Sequence, residues 1–361
     1  MKKCILKSIL TIIYLFIVVI QTMGDDKKTE TLDVKTLEAK QQDWKKKLDE
    51  AQKNGKLELK LPNVKEPLVF IPIKPGKYKI GITEEQRQFL FEQSAEPMIA
   101  HNIPNIRIID LEESFFILDR EITKEIWEAG YKDKPTNSQL PVTNESWIHC
   151  VQCCFVMSNY LKLNVRLPSE IEWEIAARDG DDRLLSWTDD VQAAFDAENK
   201  QEKIKVTAVD AKKINDKTVN RIFNLSSNVS EWCLDEYRNQ FFDFINDNIE
   251  LKYIPSTFPQ CFIEKDQNLY PKESSTPPRI RTYRGGSYQD KHYNRLIPIR
   301  RSGSEIDKLP TVGFRLVVPC DAWNWQLPKK EEPKKPITNE DINGINEIMK
   351  SRTQSKNKGI K

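Results

Sequence analysis

The chain has 361 residues, of which 30% are charged and 39% are hydrophobic. A chain of this length folds as one large domain or two medium ones. The formal net charge is only +2, and the lysines are interleaved with acidic residues. Interleaved charges are typical of a solvated surface, so the composition gives no reason to expect a nucleic-acid partner.

The N-terminus has the composition of a secretory signal. Lysines among residues 1–7 precede the apolar run SILTIIYLFIVVI, and the polar stretch QTMGDDKK follows it. A basic start, a short apolar core and small residues define such signals, with cleavage expected near Gly24. Residues 1–24 are therefore predicted to be a signal peptide or an uncleaved anchor. Both alternatives predict export to the periplasm, the cell envelope or the medium, with membrane contact only through an uncleaved segment.

Two polar segments flank the part of the chain that is able to form a core. Residues 25–67 are rich in Lys, Glu and Gln and predict a charged stalk or linker. Residues 320–361 form a polar Lys-rich tail that includes PKKEEPKKPITNE. The domain is therefore expected over residues 68–319. Within the stalk, a thin apolar stripe favours a short helix, formed by Leu37, Trp44, Leu48 and Ala51 and stopped by Gly55.

Strands open the predicted domain. The segment LVFIPIKPGKYKIG alternates apolar residues around Pro75 and Gly76, which predicts a hairpin. IRIIDLEESFFILDREITKEIW then predicts a strand, a turn, a second strand and a helix that starts near Thr123. A threonine there is able to cap the free N–H groups of the first helical turn.

Two further helices are predicted. In RLPSEIEWEIAARDG, Ser169 and Glu172 have the spacing of a capping box, and Gly180 can close the helix. The preceding segment ESWIHCVQCCFVMSNYL has apolar residues at three- and four-residue spacing, which predicts one buried helix face. That face comprises Trp147, Cys150, Val151, Cys154, Phe155 and Leu161.

Seven segments, taken in order, resemble the formylglycine-generating enzyme family, also called the sulfatase-modifying-factor family. They are FIPIKPGKYKIG, FFILDREITKEIW, LPVTNESW, RLPSEIEWEIAAR, NVSEWCLD, YRGGSY and GFRL. The resemblance implies a single α+β domain with a formylglycine-generating-enzyme-like fold, which is related to C-type lectins and low in regular secondary structure. Short strands, two capped helices and long loops without a βαβ repeat indicate the same class independently.

The resemblance also implies where the family's oxidase chemistry would lie. Family members that convert a substrate cysteine to formylglycine bind copper(I) through two cysteines in the closing module, which corresponds to Arg284 to Pro319 of this chain. Counting from Ser287, which matches the family serine beside the copper, places Asp290 and Arg295 at those two positions. Copper(I) requires soft thiolates, and a guanidinium repels a cation. We therefore expect neither copper nor formylglycine-generating activity.

Iron and zinc are not expected either. The related sulfoxide synthases bind non-haem iron through several histidines, but this chain has only His101, His149 and His292, which are scattered along the sequence. Cys150 and Cys153 have the spacing of half a zinc site, and no second half follows. In the family, the cysteine matching Cys154 can pair with a closing-module cysteine whose position is Arg300 here. Cys154 is therefore expected to be a free thiol or to pair elsewhere.

Calcium is the one metal that the resemblance still predicts for this chain. One family site uses an asparagine side chain, two backbone carbonyls and a glutamate side chain, which match Asn224, Ser227, Val229 and Glu231. Calcium accepts several hard oxygen ligands, including backbone carbonyls. The alternative is that Asn224 and Glu231 only form hydrogen bonds within the turn.

Three functions remain open for the closing module. The first is a non-catalytic binding or scaffold module for a peptide, a glycan or an envelope partner, because aromatic and arginine side chains suit recognition. The second is an enzyme with divergent chemistry, in which Asp290 and His292 act as an acid–base pair. The third is a structural component of the envelope that uses its Lys-rich tails. The predicted groove is lined by Ser287, Tyr288, Asp290, His292, Tyr293 and Arg295.

Overall fold

The computed structural model describes residues 34–93, 103–132, 134–188, 190–191, 193–194, 206–209, 216–238, 250–255, 277–290 and 292–324. The predicted signal segment and the tail beyond residue 324 lie outside these residues, so both assignments stay predictions. Among the helices of the described ranges, none is both long and apolar enough to cross a bilayer.

Short helices and strands alternate along the described chain. The helices are α1 Val34–Asn54, α2 Glu84–Gln93, α3 Lys124–Ala129, α4 Trp147–Leu161 and α5 Glu170–Arg178, with 3₁₀ turns at His292–Arg295 and Ala322–Asn324. The strands are β1 Leu57–Leu59, β2 Leu68–Ile73, β3 Gly76–Ile80, β4 Arg107–Leu111, β5 Phe115–Leu118, β6 Ser230–Glu236, β7 Glu250–Tyr253, β8 Ile280–Arg284, β9 Arg300–Ser304, β10 Val312–Gly313 and β11 Val317–Val318.

These strands form three small sheets. Their orders are β1-β2-β5-β11, β10-β6-β8-β9 and β3-β4-β7. The closing module contributes to the first two sheets, because β11 pairs with β5 and β10 pairs with β6. The segment GFRLVVP therefore contains the end of β10 and all of β11, which belong to different sheets. The architecture is the mixed helix-and-sheet class with little regular structure that the sequence predicts.

The predicted hairpin around Pro75 and Gly76 is wrong. β2 pairs with β5, from Phe70 opposite Leu118 to Ile73 opposite Phe115, and β3 pairs with β4. The chain therefore passes from one sheet to another at Pro75 and Gly76. Proline fixes one backbone angle and lacks an N–H, so it bends an extended chain as readily as it starts a turn.

The segment assigned to a charged stalk contributes to the hydrophobic core. Trp44, Leu48 and Ala51 on α1 are buried, and β1 adds the buried Leu57 and Leu59. β1 pairs with β2 in antiparallel register, and the Trp44 indole donates a hydrogen bond to the carbonyl of Cys320. From Trp44 onward the chain belongs to one compact unit. The folded part thus begins well before Leu68.

The helix predictions hold in their main features. Thr123 caps α3, and Ser169 with Glu172 forms the predicted capping box of α5. Every residue of α5 is buried, including its charged side chains. On α4 the buried face includes Cys153 and Met157 in addition to the predicted set, whereas Phe155 and Leu161 are only partly buried.

Candidate functional site

Helix α5 inserts two carboxylates into the core, where arginines from the closing module bind them. Arg284 of β8 donates to both Glu170 and Glu174, and Arg300 of β9 forms a two-pronged ion pair with Glu170 at 2.6 and 2.8 Å. Burial raises the pKa of Glu170, but Arg300 and Arg284 more than offset this and hold it below its ordinary value. These charges therefore join α5 to the sheet that supports the closing module.

Two more buried ion pairs lie near α5, one between neighbouring residues and one between segments that are distant in sequence. Arg166 binds Glu172 at 2.7 Å through both terminal nitrogens, which fixes the approach to α5. Glu231 accepts from Arg315 through both oxygens and from the indole of Trp173. In this geometry the guanidinium of arginine donates two parallel hydrogen bonds to a carboxylate. The segments RLPSEIEWEIAAR, NVSEWCLD and GFRL are thus bound to one another in the core by these ion pairs.

Asp290, at one position of the family's copper-binding cysteines, closes the loop that follows β8. Its carboxylate accepts from the backbone N–H of Ser287 at 2.7 Å and from Arg301 at 2.8 and 2.9 Å. Ser287 is buried and its hydroxyl accepts from the N–H of Gln289, so this serine also serves the turn. The proposed acid–base role of Asp290 would require it to leave Arg301.

Arg301 was missed by sequence reasoning, yet it organises this end of the molecule. Its second terminal nitrogen donates to the hydroxyl of Ser230 at 2.6 Å and to the carbonyl of Gly285. Its guanidinium also lies over the ring of Tyr283, 5.1 Å from the centroid. Arg301 and Ser230 lie 71 residues apart, so residue spacing gave no signal for this contact.

Arg295, at the second cysteine position, faces the other side of the same loop. Its Nε donates to the carbonyl of Ser226 at 3.0 Å, and its guanidinium lies 5.5 Å from the ring centroid of Trp187. A Cβ at Gly286 would lie 2.8 Å from Cγ of Arg295 and 2.4 Å from the carbonyl oxygen of Ser226. The loop therefore packs tightly against this arginine, and both former cysteine positions carry charged groups with partners of their own.

Among the remaining residues of the predicted groove, the structure describes the side chain of Tyr288 but not those of His292 and Tyr293. Tyr288 is partly exposed, and its backbone N–H donates to the carbonyl of Asn228. His292 and Tyr293 belong to a 3₁₀ turn, but their side chains lie outside the described residues. The pairing of His292 with Asp290 consequently stays a prediction.

The predicted calcium residues lie in a loop that turns around a buried carboxylate. Asn224 and Asn228 adopt left-handed backbone angles and donate through Nδ2 to the two oxygens of Glu121, at 2.7 and 3.0 Å. Glu231 follows in β6. Burial, and then the neighbouring Glu231 carboxylate, raise the pKa of Glu121 to about 8. Glu121 was missed because it lies 103 residues from Asn224 in sequence.

The donors of this loop fit calcium in their chemistry. Two carboxylates and two carboxamides meet in a buried site, and hard oxygen atoms are the ligands that calcium prefers. Glu231, however, already binds Arg315 and Trp173, so much of its capacity to accept is used. If calcium binds, Asn224 and the carbonyls of Ser227 and Val229 would hold it and pin the loop.

Four of the described cysteines behave as core residues. Cys150, Cys153, Cys154 and Cys233 are buried free thiols, and burial raises the pKa of each. The position matching the partner of Cys154 is Arg300, which binds Glu170. Over the described ranges no three histidine, cysteine or acidic side chains are grouped to hold a metal. His149 pairs with Glu145 at 2.6 Å, and His101 lies outside the described residues.

Several solved structures are similar to this chain at low identity. Treponema denticola variable protein 1 is 19% identical, with a TM-score of 0.49, over 73% of this chain and 99% of its own. PvdO from Pseudomonas aeruginosa is 12% identical, with a TM-score of 0.46, over 72% of this chain and 99% of its own. CarF is 17% identical, with a TM-score of 0.41, over 70% of this chain and 98% of its own.

No curated protein matches the chain. A family model does match, over residues 63–320, close to the predicted domain. The match includes the buried ion-pair residues of α5, β6 and β8 and the closing loop. The chain belongs to the family of the sulfatase-modifying factor enzyme 1-like domain.

Proposed function

We propose that this protein is an exported, non-catalytic member of its family that acts as a binding or scaffold module for a peptide, a glycan or an envelope partner. The observation that supports this most directly is the pair of residues at the two positions where the resemblance places copper-binding cysteines. Asp290 is bound by Arg301 and Arg295 lies on Trp187, so neither position offers a soft donor. Export rests on the predicted N-terminal signal.

The proposed binding surface, called the rim below, is formed by Tyr283 of β8 and by Tyr288 and Gln289 in the loop that follows β8. Tyr283 and Tyr288 are partly exposed there, and Gln289 between Tyr288 and Asp290 is exposed. Tyrosines next to arginines supply large contact area with few rotatable bonds, which suits both peptides and sugars. Asp290 and Ser287 hold the loop in shape, so they position this surface and need not contact the partner.

We also propose that the loop 224–231 binds calcium as a structural ion. Its role would be to pin the loop whose Asn228 carbonyl accepts from Tyr288, and thereby to hold the rim. Copper and iron have no place in this proposal.

Metal analysis of the purified protein, together with an activity assay, tests the non-catalytic assignment. We expect calcium without copper or iron, and no aldehyde on a sulfatase-derived cysteine peptide supplied with oxygen and copper(I). Stoichiometric copper or iron, or aldehyde formation, would overturn the proposal.

A binding screen tests the surface. Peptide and glycan arrays would be probed with the wild type, with Tyr288→Ala and with Tyr160→Ala. Tyr160 is an exposed tyrosine on α4 and serves as the matched control. We expect the Tyr288 variant alone to lose its ligands. Equal loss in both variants, or retention in both, would contradict a binding role for the rim. Pull-downs with and without residues 328–361 separate this surface from contacts made by the Lys-rich tail.

A further inference from the structure

An exposed aromatic surface lies where α3 ends against α4. Tyr131 follows α3 and is 55% exposed, and its ring centroid lies 5.6 Å from that of the partly buried Trp127. A Cβ at Gly130 would lie 3.2 Å from side-chain atoms of Val156 and Met157, so the end of α3 packs directly on α4. We name Trp127, Tyr131 and Val156, which all keep some contact with solvent, the α3–α4 surface. Aromatic surface left in water is stabilised when another apolar group covers it.

The described chain ends beside the same helix. Its last element is the 3₁₀ turn Ala322–Asn324, and the carbonyl of Ala322 accepts from the backbone N–H of Asn164 at 2.9 Å. Asn164 lies three residues beyond the end of α4. Trp323 packs against the core, which fixes the point of exit. The tail therefore leaves the domain at the C-terminal end of α4.

The tail is long enough to return along α4. This helix has 15 residues, which corresponds to a length of about 22 Å. Residues 325–337 alone can span about 40 Å as an extended chain. The α3–α4 surface is therefore within reach of the residues that follow the Lys-rich stretch PKKEEPKKP.

The sequence after that stretch has the pattern of a short amphipathic helix. In TNEDINGINEIM, residues 338–349, a threonine and an aspartate have the spacing of a capped helix start. Ile342, Ile345 and Met349 follow at spacings of three and four residues, which places them on one helix face. Gly344 costs a helix about 1 kcal/mol, and a helix this short is marginal in water by itself. The segment therefore requires an apolar partner in order to fold.

We propose that residues 338–349 dock on the α3–α4 surface of the same chain, with Ile342, Ile345 and Met349 packed against Tyr131 and its neighbours. Aliphatic side chains bury the exposed ring, and a methionine sulfur makes favourable contacts with an aromatic edge. The surface supplies the apolar partner that the segment lacks alone. The tail is then a strap that covers the aromatic surface and holds the Lys-rich stretch between two attached ends. This strap is independent of the rim and of the proposed calcium site.

Hydrogen exchange of the full chain, followed by peptide mass spectrometry, tests the strap from the side of the tail. The wild type is compared with Ile345→Asp, which lies outside the folded domain, and with Ile360→Asp, a matched control in the tail beyond the segment. We expect the amides of residues 338–349 to exchange about tenfold more slowly in the wild type and in Ile360→Asp than in Ile345→Asp. The amides around Tyr131 should change in the same direction.

A substitution in the domain tests the other side of the contact. Tyr131→Asp should speed the exchange of residues 338–349 as Ile345→Asp does. Val219→Asp, at an exposed valine in the turn before Phe223, should leave that exchange unchanged. The exchange of α5 reports whether the domain is still folded, and Ile345→Asp decides the matter if Tyr131→Asp unfolds.

Three results would overturn the strap. The first is rapid exchange of residues 338–349 in the wild type. The second is protection that survives Tyr131→Asp in a folded domain, because the segment would then dock elsewhere. The third is protection that is lost on dilution, because a second copy of the chain would then cover the surface.

Discussion

Arg315 and Glu231 form a two-pronged ion pair across 84 residues of chain, and each side chain has 0% of its surface exposed. Arg315 also donates to the backbone carbonyls of Leu118 and Phe223 at 2.9 and 2.8 Å. One side chain thus joins the closing module to β5, to the loop before Asn224 and to β6. Burial lowers the pKa of Arg315, but Glu231 more than offsets this, so the pKa stays above its ordinary value and the guanidinium stays charged.

Breaking this pair should destabilise the protein strongly. Arg315→Ala leaves a buried carboxylate without a counter-charge, which costs about 3–5 kcal/mol. Chemical denaturation measures the change in the free energy of unfolding. Lys56→Ala removes the exposed pair with Glu58 and should change it by less than about 1 kcal/mol. Similar costs for the two variants would show that the buried pair is not a structural link.

Stability should fall on acidification. Burial raises the pKa of Glu174, but Arg178 and Arg284 outweigh it and hold the pKa below the ordinary value of 4.5, as for Glu170. A carboxyl with a lowered folded-state pKa contributes stability above its unfolded-state pKa and loses it as the pH falls toward the folded-state value.

Urea unfolding between pH 7 and pH 3 measures this loss. We expect a decline that begins near pH 5 and that approaches about 1.4 kcal/mol per pH unit for each group that titrates. Glu112→Gln, in the exposed pair with Lys252, should leave the slope unchanged. A flat profile down to pH 3 would contradict the assignment of these ion pairs.

The thiols of α4 and β6 should be unreactive in the folded protein. Burial raises the pKa of Cys150, Cys153 and Cys233, and the thiolate is the reactive form. Alkylation followed by peptide mass spectrometry should label these residues only after unfolding in urea. Cys320 is partly exposed and serves as the internal reference. Labelling of the α4 cysteines at the rate of Cys320 would refute their role as core residues.

Asp290 and Arg301 should couple in stability. Their side chains are 15% and 20% exposed, so the ion pair is partly shielded from water. A double-mutant cycle with Asp290→Ala and Arg301→Ala should give a coupling energy of about 1 kcal/mol. Thermal and urea unfolding of the four proteins supply the cycle. Additive effects would mean that the loop does not depend on this pair, and Asp290 would again be available for catalysis.

The sequence predicted correctly those features that depend only on interactions between neighbouring residues. The caps at Thr123 and Ser169 follow from the hydrogen bonds that a helix start lacks, and both are present. Whether β2 and β3 pair as a hairpin at Pro75 depends on which other strands are available to them. Those strands begin at Arg107, so the turn residues alone do not decide the pairing.

The candidate site was harder to predict because its charges come from distant segments. Glu121 ends the charged run Asp119-Arg120-Glu121 between β5 and the buried Ile122, so nothing in the local sequence marks it as a buried residue. Of its two partners, Asn224 was predicted to bind calcium or to form hydrogen bonds within the turn, and Asn228 was not singled out. Arg301 was missed because its partner Ser230 lies 71 residues away in sequence.

The hydrogen bond between the Trp44 indole and the Cys320 carbonyl limits how far the chain can be truncated from its N-terminus. A fragment cut to the family match at residue 63 would lose α1 and β1 and would uncover the outer edge of β2. Bare strand edges template intermolecular pairing, so such a fragment is expected to aggregate even with its ion pairs intact. Recombinant material intended for ligand work should therefore begin upstream of α1.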